Sequence, residues 1–264
     1  MIINDIVIFI ENVSGSNLFI AAFLAGTICM ILTFLGATPA ILGSRVSDKV
    51  IDIGLGFSAG IMIVAAFTSL ILPGIEMGGV SSVVIGFALG ALLIHLFNEF
   101  VPHEHFVKGY EGPESLHNRL KMVWLLVIAI IIHNFPEGLA VGASVAYNLR
   151  DGVLMAIAIG IQDVPEGLAV ALPLVGIGKN VKKALWIAFL SGAVEPLMAL
   201  VPILLTEFST ALLPYTLGFA GGAMIYVVSN EVVPETHRHG YENYATAGLV
   251  IGFIIMLVLD TTLG

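Results

Sequence analysis

The chain has 264 residues, 58% of them apolar and only 11% charged, with a mean hydropathy of +1.02. A soluble domain carries about 25% charged residues, so a water-facing globule is excluded and a multi-span membrane protein is indicated. The formal net charge of −9 excludes nucleic acid as a partner and a polybasic lipid-binding face.

A spanning segment must satisfy its own backbone hydrogen bonds, which leaves helices or a closed barrel. The apolar runs are about 20 residues long and lack strict alternation, which selects helices. Met1 to Ile10 has no basic n-region and too short an apolar core for a cleaved signal peptide. The first 13 residues read instead as an interfacial or partly inserted segment. Eight spans are predicted after it, at about 18–40, 50–74, 80–101, 122–146, 153–176, 182–206, 213–236 and 244–262. The lone cysteine, Cys29, sits in the first apolar run and cannot support a disulfide framework. The longest connection, about 102–121, is polar and contains His103, Glu104, His105, Gly109, Gly112, Pro113 and His117. It is expected to be a mobile loop within a single transmembrane domain covering 1–264.

The basic residues set an orientation. Arg45 and Lys49 fall in the first loop, Lys108, Arg119 and Lys121 in the third, Lys179, Lys182 and Lys183 in the fifth, and Arg238 in the seventh. Only Arg150 falls on the other side, so the count is nine against one. By the positive-inside rule, odd-numbered loops are cytoplasmic and both termini lie outside.

Two weak repeats suggest internal symmetry. HNFPEGLAVG (133–142) in span four resembles QDVPEGLAVA (162–171) in span five, and GFSAGIMI (56–63) in span two resembles GFAGGAMI (218–225) in span seven. A fainter pair is GFALGALLI (86–94) in span three and GFIIMLVLD (252–260) in span eight. Each pair is antiparallel. The pattern suggests an all-α 3+2+3 inverted-repeat arrangement, which in transporters places a site near the bilayer midplane. Gly-rich packing motifs are common in membrane helices, which is the competing explanation for the GF segments.

The middle of the chain carries an unusual polar load. Near the centres of spans four, five and six lie His133, Asn134 and Glu137; Gln162, Asp163 and Glu166; and Glu195, with Met62 of span two at the same depth. Each midplane acid costs ~3 kcal/mol on insertion scales, so four cost on the order of 12 kcal/mol, which rivals a domain's stability. No Lys or Arg lies nearby. The group must be protonated, hydrated or neutralised by cations. Residues three and four apart share a helix face, so each of spans four and five presents one convergent donor face. Pro136 and Pro165 each remove the hydrogen bond to the carbonyl four residues back, freeing the C=O of Ile132 and Ile161. Gly138 and Gly167 admit a neighbouring backbone. Oxygen donors with one imidazole suit Zn²⁺ and also Fe²⁺, Mn²⁺, Co²⁺ or Cd²⁺, while a proton relay is the rival explanation for the carboxylates.

HNFPEG followed on the next span by QDVPEG resembles the signature of the Zrt/Irt-like (ZIP) metal transporters, in particular the GufA-like bacterial branch. The resemblance extends through GFSAGIMI, PHEHFVKGYEGP, SGAVEP and VVSNEVVPETH. It implies eight helices and a binuclear metal site. By motif, one ion would be held by Met62, His133, Glu137, Gln162 and Glu166. The second would use Asn134, Glu137, Asp163, Glu166 and Glu195, a set of oxygen and amide donors only. Many eukaryotic relatives have His-Glu where this chain has Gln162-Asp163, and His where it has Gly167. Asn230 and Glu231, followed by Glu235, His237 and His239, resemble an exit path. His103, Glu104, His105 and His117 form a candidate metal-sensing loop, His95 is expected to be structural, and Asp260 is expected to be an interfacial acid. The expected function is divalent-metal transport into the cytosol, zinc first, across a bacterial or archaeal plasma membrane. Metal is then cargo and no catalytic cofactor is expected. An intramembrane metal-dependent hydrolase is the alternative, although H-E-x-x-H is absent. A homodimer is left open.

Overall fold

Polar caps and glycines mark where the apolar helices begin and end. Residues 2–45, 47–101, 103–105, 109–111, 122–176, 180–237 and 239–263 are described in the computed structural model. The N-terminal segment forms helix α1 (Ile2–Ser14), closed by Gly15 at φ 59°. Asn17 then caps α2 (Leu18–Ala37), its side-chain oxygen accepting from the Phe19 and Ile20 amides at 2.9 and 3.2 Å, which satisfies two of the otherwise orphaned amides. A 3-10 stretch (Thr38–Arg45) leads to α3 (Asp48–Ala65), a π-helical turn (Ala66–Ile71) and α4 (Leu72–Phe100). Short strands β1 (His103–His105) and β2 (Gly109–Glu111) pair antiparallel.

Helix α5 (Met122–Tyr147) follows, then α6 (Leu149–Gly176), capped where Asn148 accepts from the Arg150 amide at 2.8 Å. Asn180 caps a span built of α7 (Val181–Gly192), α8 (Val194–Met198) and α9 (Leu200–Phe208). Helix α10 (Leu213–Val227) continues through a π-helical turn (Val228–Val232) into α11 (Val233–Thr236), and α12 (Glu242–Leu263) ends the chain.

Among the described residues, six segments are long and apolar enough to cross a membrane: Leu18–Ile41, Asp48–Phe100, Leu149–Leu172, Val181–Phe208, Thr210–Thr236 and Glu242–Thr262. Predicted spans two and three fall together in Asp48–Phe100, broken at Gly79, where φ 76° and ψ 167° leave helical space. That φ is open to glycine and strained for other residues. The predicted span 122–146 matches α5. Span six is not one continuous helix, because it is interrupted around Ala193 and Ala199. Of the predicted 102–121 loop, the described pieces form the β1–β2 ribbon rather than plain loop. Lys108, Gly112, Pro113, His117, Arg119, Lys121, Lys179 and Arg238 lie outside the described residues.

Small residues make up much of the core, alongside larger ones such as Ile61, Leu70 and Met155. Ala22, Ala25, Ala59, Ala65, Ala140, Ala143, Ala156, Ala220 and Ala223 are buried, whereas Leu, Ile, Val and Phe crowd the exposed faces of α4 and α12. Lipid tails are as apolar as leucine, so helices associate here through close backbone packing at small residues. Helix α10 lies on α4, α12 on α3, α2 on α6, and α5 on α8. At Gly222 a Cβ would collide with the Phe87 carbonyl, so the α4–α10 contact requires glycine there.

Gly222→Leu is therefore expected to separate α10 from α4 and lower stability by about 1–3 kcal/mol or more. Leu92→Val, on an exposed face, is expected to stay within about 0.5 kcal/mol. Thermal unfolding of the two variants in detergent checks this.

Candidate functional site

The i, i+1, i+4 spacing puts His133, Asn134 and Glu137 on one side of α5, and the same spacing puts Gln162, Asp163 and Glu166 on one side of α6. The glycine after each glutamate determines what comes next to it. A Cβ at Gly138 would lie 2.9 Å from the Glu195 Cα, and one at Gly167 would strike the Thr33 carbonyl. The two glycines thus let α8 deliver Glu195 and α2 deliver Thr33 into the same region. Ser58 of α3 donates to the Gln162 carbonyl at 2.8 Å, holding α3 against α6. Met62, one turn further along α3, is fully buried.

The polar side chains gather into two adjoining groups. In the first, one donor atom from each of His133, Glu137 and Glu166 lies within 4.8 Å of the others. His133 Nε2 is 3.1 Å from Glu166 Oε2, and Gln162 Nε2 donates to Glu137 Oε1. In the second, Cys29, Asp163 and Glu195 are equally close. Glu195 Oε1 accepts from Asn134 Nδ2 at 3.0 Å and from Thr33 Oγ1 at 3.1 Å. All predicted midplane residues except Met62 belong to these groups or hydrogen-bond to a member of them, Asn134 through its amide nitrogen.

Five buried acceptor oxygens of this region have no hydrogen-bond partner within the protein: Glu137 Oε2, Gln162 Oε1, Asp163 Oδ2, Glu166 Oε1 and Glu195 Oε2. Each such atom costs about 1–3 kcal/mol when left unmet, so five cost on the order of 5–15 kcal/mol. All five come from residues singled out in the sequence. No lysine or arginine occurs between 50 and 107, or between 122 and 149, or between 151 and 178. The donor set therefore fits a cation.

The predicted exit residues part company. Glu231 is buried and sits against the first group, its Oε2 3.5 Å from His133 Nδ1 and its Oε1 accepting from Asn98 Nδ2 at 3.3 Å. Asn230 instead lines a surface groove with Phe87, Ala91, Tyr226 and Ser229. His95 pairs with the Tyr226 hydroxyl at 3.1 Å, and Asp260 accepts from Ser69 at 2.9 Å. His239 lies 2.9 Å from the buried Asp52, while His237 turns back to the Val233 carbonyl. The side chains of the predicted metal-sensing loop, from His103 to His117, lie outside what is described.

Sequence reasoning missed Cys29, Thr33 and Asn98. For the first two a signal existed: Ala22, Ala25, Gly26, Cys29, Thr33 and Gly36 recur at helical spacing, marking the packed face of α2. The second group is consequently not limited to oxygen and amide atoms, as its motif suggested, because a thiol stands beside its carboxylates.

The ZIP Zinc transporter family model matches residues 102–260. The chain is 42% identical over 255 residues to Zinc transporter GufA of Myxococcus xanthus, covering 93% of this chain and 98% of that one. It is 46% identical over 256 residues to Zinc transporter ZIPB of Bordetella bronchiseptica, covering 92% and 81%. It is also 35% identical over 251 residues to Zinc transporter ZupT of Chlorobium chlorochromatii, covering 86% and 91%. With its family match, its near full-length relatives and the six apolar spans among its described residues, this integral membrane protein belongs to the ZIP zinc transporter family.

Proposed function

We propose that the protein carries divalent metal ions, zinc first among them, across the membrane and into the cytosol through the paired clusters on α5, α6 and α8. The observation that carries this reading is the set of five partnerless acceptor oxygens on Glu137, Gln162, Asp163, Glu166 and Glu195. One ion would lie among His133, Glu137, Gln162 and Glu166, with Met62 beside them. A second would lie among Asn134, Asp163 and Glu195, with Glu137 and Glu166 bridging. Oxygen donors with an imidazole favour Zn²⁺ and accept Cd²⁺, Fe²⁺, Mn²⁺ or Co²⁺. Relatives named as transporters favour carriage over hydrolysis.

The architecture we propose is eight spans in one domain, 3+2+3. The Gly79 break divides Asp48–Phe100 into two spans, and α5 adds one more to the six. The packing supports inversion. Exchanging the first triplet for the last turns the α3–α12 contact into the α10–α4 contact, and the α2–α6 contact into the α8–α5 contact, and each occurs. A π-helical turn also begins ten residues after the first motif glycine in both halves, at Ala66 after Gly56 and at Val228 after Gly218. The nine-to-one distribution of basic residues supports both termini outside a bacterial or archaeal plasma membrane.

Uptake and bound-metal stoichiometry in proteoliposomes test the site. Glu195→Gln is expected to keep measurable zinc uptake and bind one ion fewer, whereas His133→Ala loses most uptake. The reverse pattern would mean that the oxygen-rich cluster carries the transported ion.

Glu231 gives a second test. A carboxylate on the far nitrogen of a ligating histidine fixes its tautomer and raises its basicity, and removing it typically costs 10–100-fold in metal affinity. Glu231→Gln is expected to weaken zinc binding by about tenfold or more, with little change in Asn230→Ala. Unchanged affinity with slower release would return Glu231 to the exit path.

For orientation, a cysteine introduced at exposed Thr262 is expected to react with an impermeant maleimide from outside intact cells. Labelling from the cytosolic side alone would reverse both topology and the inward direction.

A further inference from the structure

The thiol of Cys29 is fully buried in α2, within 4.8 Å of donor oxygens of Asp163 and Glu195. Asp163 and Glu195 are 1% and 0% exposed, and each keeps one oxygen, Oδ2 and Oε2, without a partner. Glu195 is held by its other oxygen through Thr33 and Asn134, so its free oxygen is positioned rather than floppy. Around a zinc ion with one sulfur at about 2.3 Å and oxygens near 2.1 Å, neighbouring sulfur and oxygen stand about 3.1 Å apart in six-coordination and about 3.6 Å apart in four-coordination. Closing the Cys29–Asp163–Glu195 triangle to that size needs movements of about one to two ångströms, within the reach of side-chain rotation.

From this geometry we infer that Cys29 is a ligand of the second metal ion, giving that site one soft sulfur beside the Asp163 and Glu195 carboxylates. The inference rests on the binuclear reading above. It changes that site's chemistry: thiolate selects Zn²⁺ and Cd²⁺ over Mn²⁺, which an all-oxygen site would serve well. On binding, the metal–sulfur bond replaces the S–H bond, the proton leaves to solvent, and the present donation from Sγ to the Ala156 carbonyl at 3.2 Å is given up.

Cys29 is the chain's only cysteine, so a thiolate signal can come from nowhere else. Purified protein is titrated with Co²⁺ while bound metal is counted and the near-ultraviolet spectrum recorded. A sulfur-to-cobalt charge-transfer band is expected to grow with the second equivalent. It should vanish in Cys29→Ser and Cys29→Ala, and those variants should lose more affinity for Cd²⁺ than for Mn²⁺. Two ions bound to the unaltered protein with no such band would overturn the role of Cys29 and leave the transport reading standing. Binding of no metal at all would instead overturn the transport reading, and the thiol ligand with it. Because the unaltered protein decides the main result, a variant that fails to fold does not rescue the inference.

Discussion

Negative charge without a protein counter-charge is the constraint around which the rest of the molecule is arranged. Glu137, Asp163, Glu166 and Glu195 are buried together, and among the described residues His133 is the only basic side chain that contacts them. A buried charge is tolerable when it is paired or coordinates a metal. Here the polar contacts satisfy one oxygen of each glutamate and stop. Glu195 uses Oε1 for Thr33 and Asn134, Glu137 uses Oε1 for Gln162, and Glu166 uses Oε2 for His133, and in every case the other oxygen is left over. A purely structural network would be expected to satisfy both oxygens, since a half-satisfied buried network is costlier than an apolar core. The arrangement instead orients the acids and leaves buried oxygens on Glu137, Glu166 and Glu195 unmet, which is the pattern of a cation site rather than of a structural network.

Backbone proximity makes that arrangement possible. Polar residues on separate helices can meet only if the helix axes come close, and the smallest residues stand where they do. Gly138 admits α8 and so brings Glu195 in, while Gly167 admits α2 and brings in Thr33 and Cys29. The same device holds α3 to α12 at Gly56 and Gly60, and α4 to α10 at Gly218 and Gly222. In a bilayer there is no hydrophobic drive for helices to associate, so this close packing supplies the enthalpy that holds the acids together. Stability and function depend on the same glycines, and a change at Gly138 would damage both at once.

How much of this the sequence revealed depends on the kind of signal. Period and spacing disclosed the polar faces of α5 and α6, because i, i+4 neighbours on one helix share a face whatever the tertiary fold. Glu195 was legible as a midplane acid. Cys29 and Thr33 were not, because their meaning lies in the neighbour that α2 packs against, and a helix of small residues does not name its partner. The separation of Glu231 from Asn230 was hidden for a different reason. The π-helical turn over Val228–Val232 inserts an extra residue into the helical register. Glu231 faces inward to His133 while Asn230 lines the groove beside Phe87. Ordinary helical counting sends neighbours to different sides, but it does not say which side faces the cluster once the register has shifted. The break of span six around Ala193 was only hinted at: Gly192 and Pro196 in SGAVEP both disfavour a continuous helix, but glycine and proline also occur inside membrane helices.

The two π-helical turns also bear on the asymmetry of the site. They stand at corresponding places in the two halves, yet what they do to the cluster differs. The turn at Ala66–Ile71 follows Met62 and leads toward Ser69 and its contact with Asp260. The turn at Val228–Val232 places Glu231 on His133. Two π-helical turns, each ten residues after a similar GF-x-x-G motif, therefore carry unlike side chains. The His133 group has an imidazole, a thioether close by and a carboxylate behind the ring; the Asp163 group has a thiol and a carboxylate held by Thr33 and Asn134. If both groups held metal equally, symmetry of the ligands would be expected to follow symmetry of the helices. It does not: the repeat at HNFPEG and QDVPEG keeps the proline, the glutamate and the glycine and changes the three residues before them. The kept glycines are the positions where α8 and α2 approach most closely, so packing requires them in both copies. The changed residues decide which donor atoms face the cluster, and Gln162 standing where the first copy has His133 is the largest of those changes.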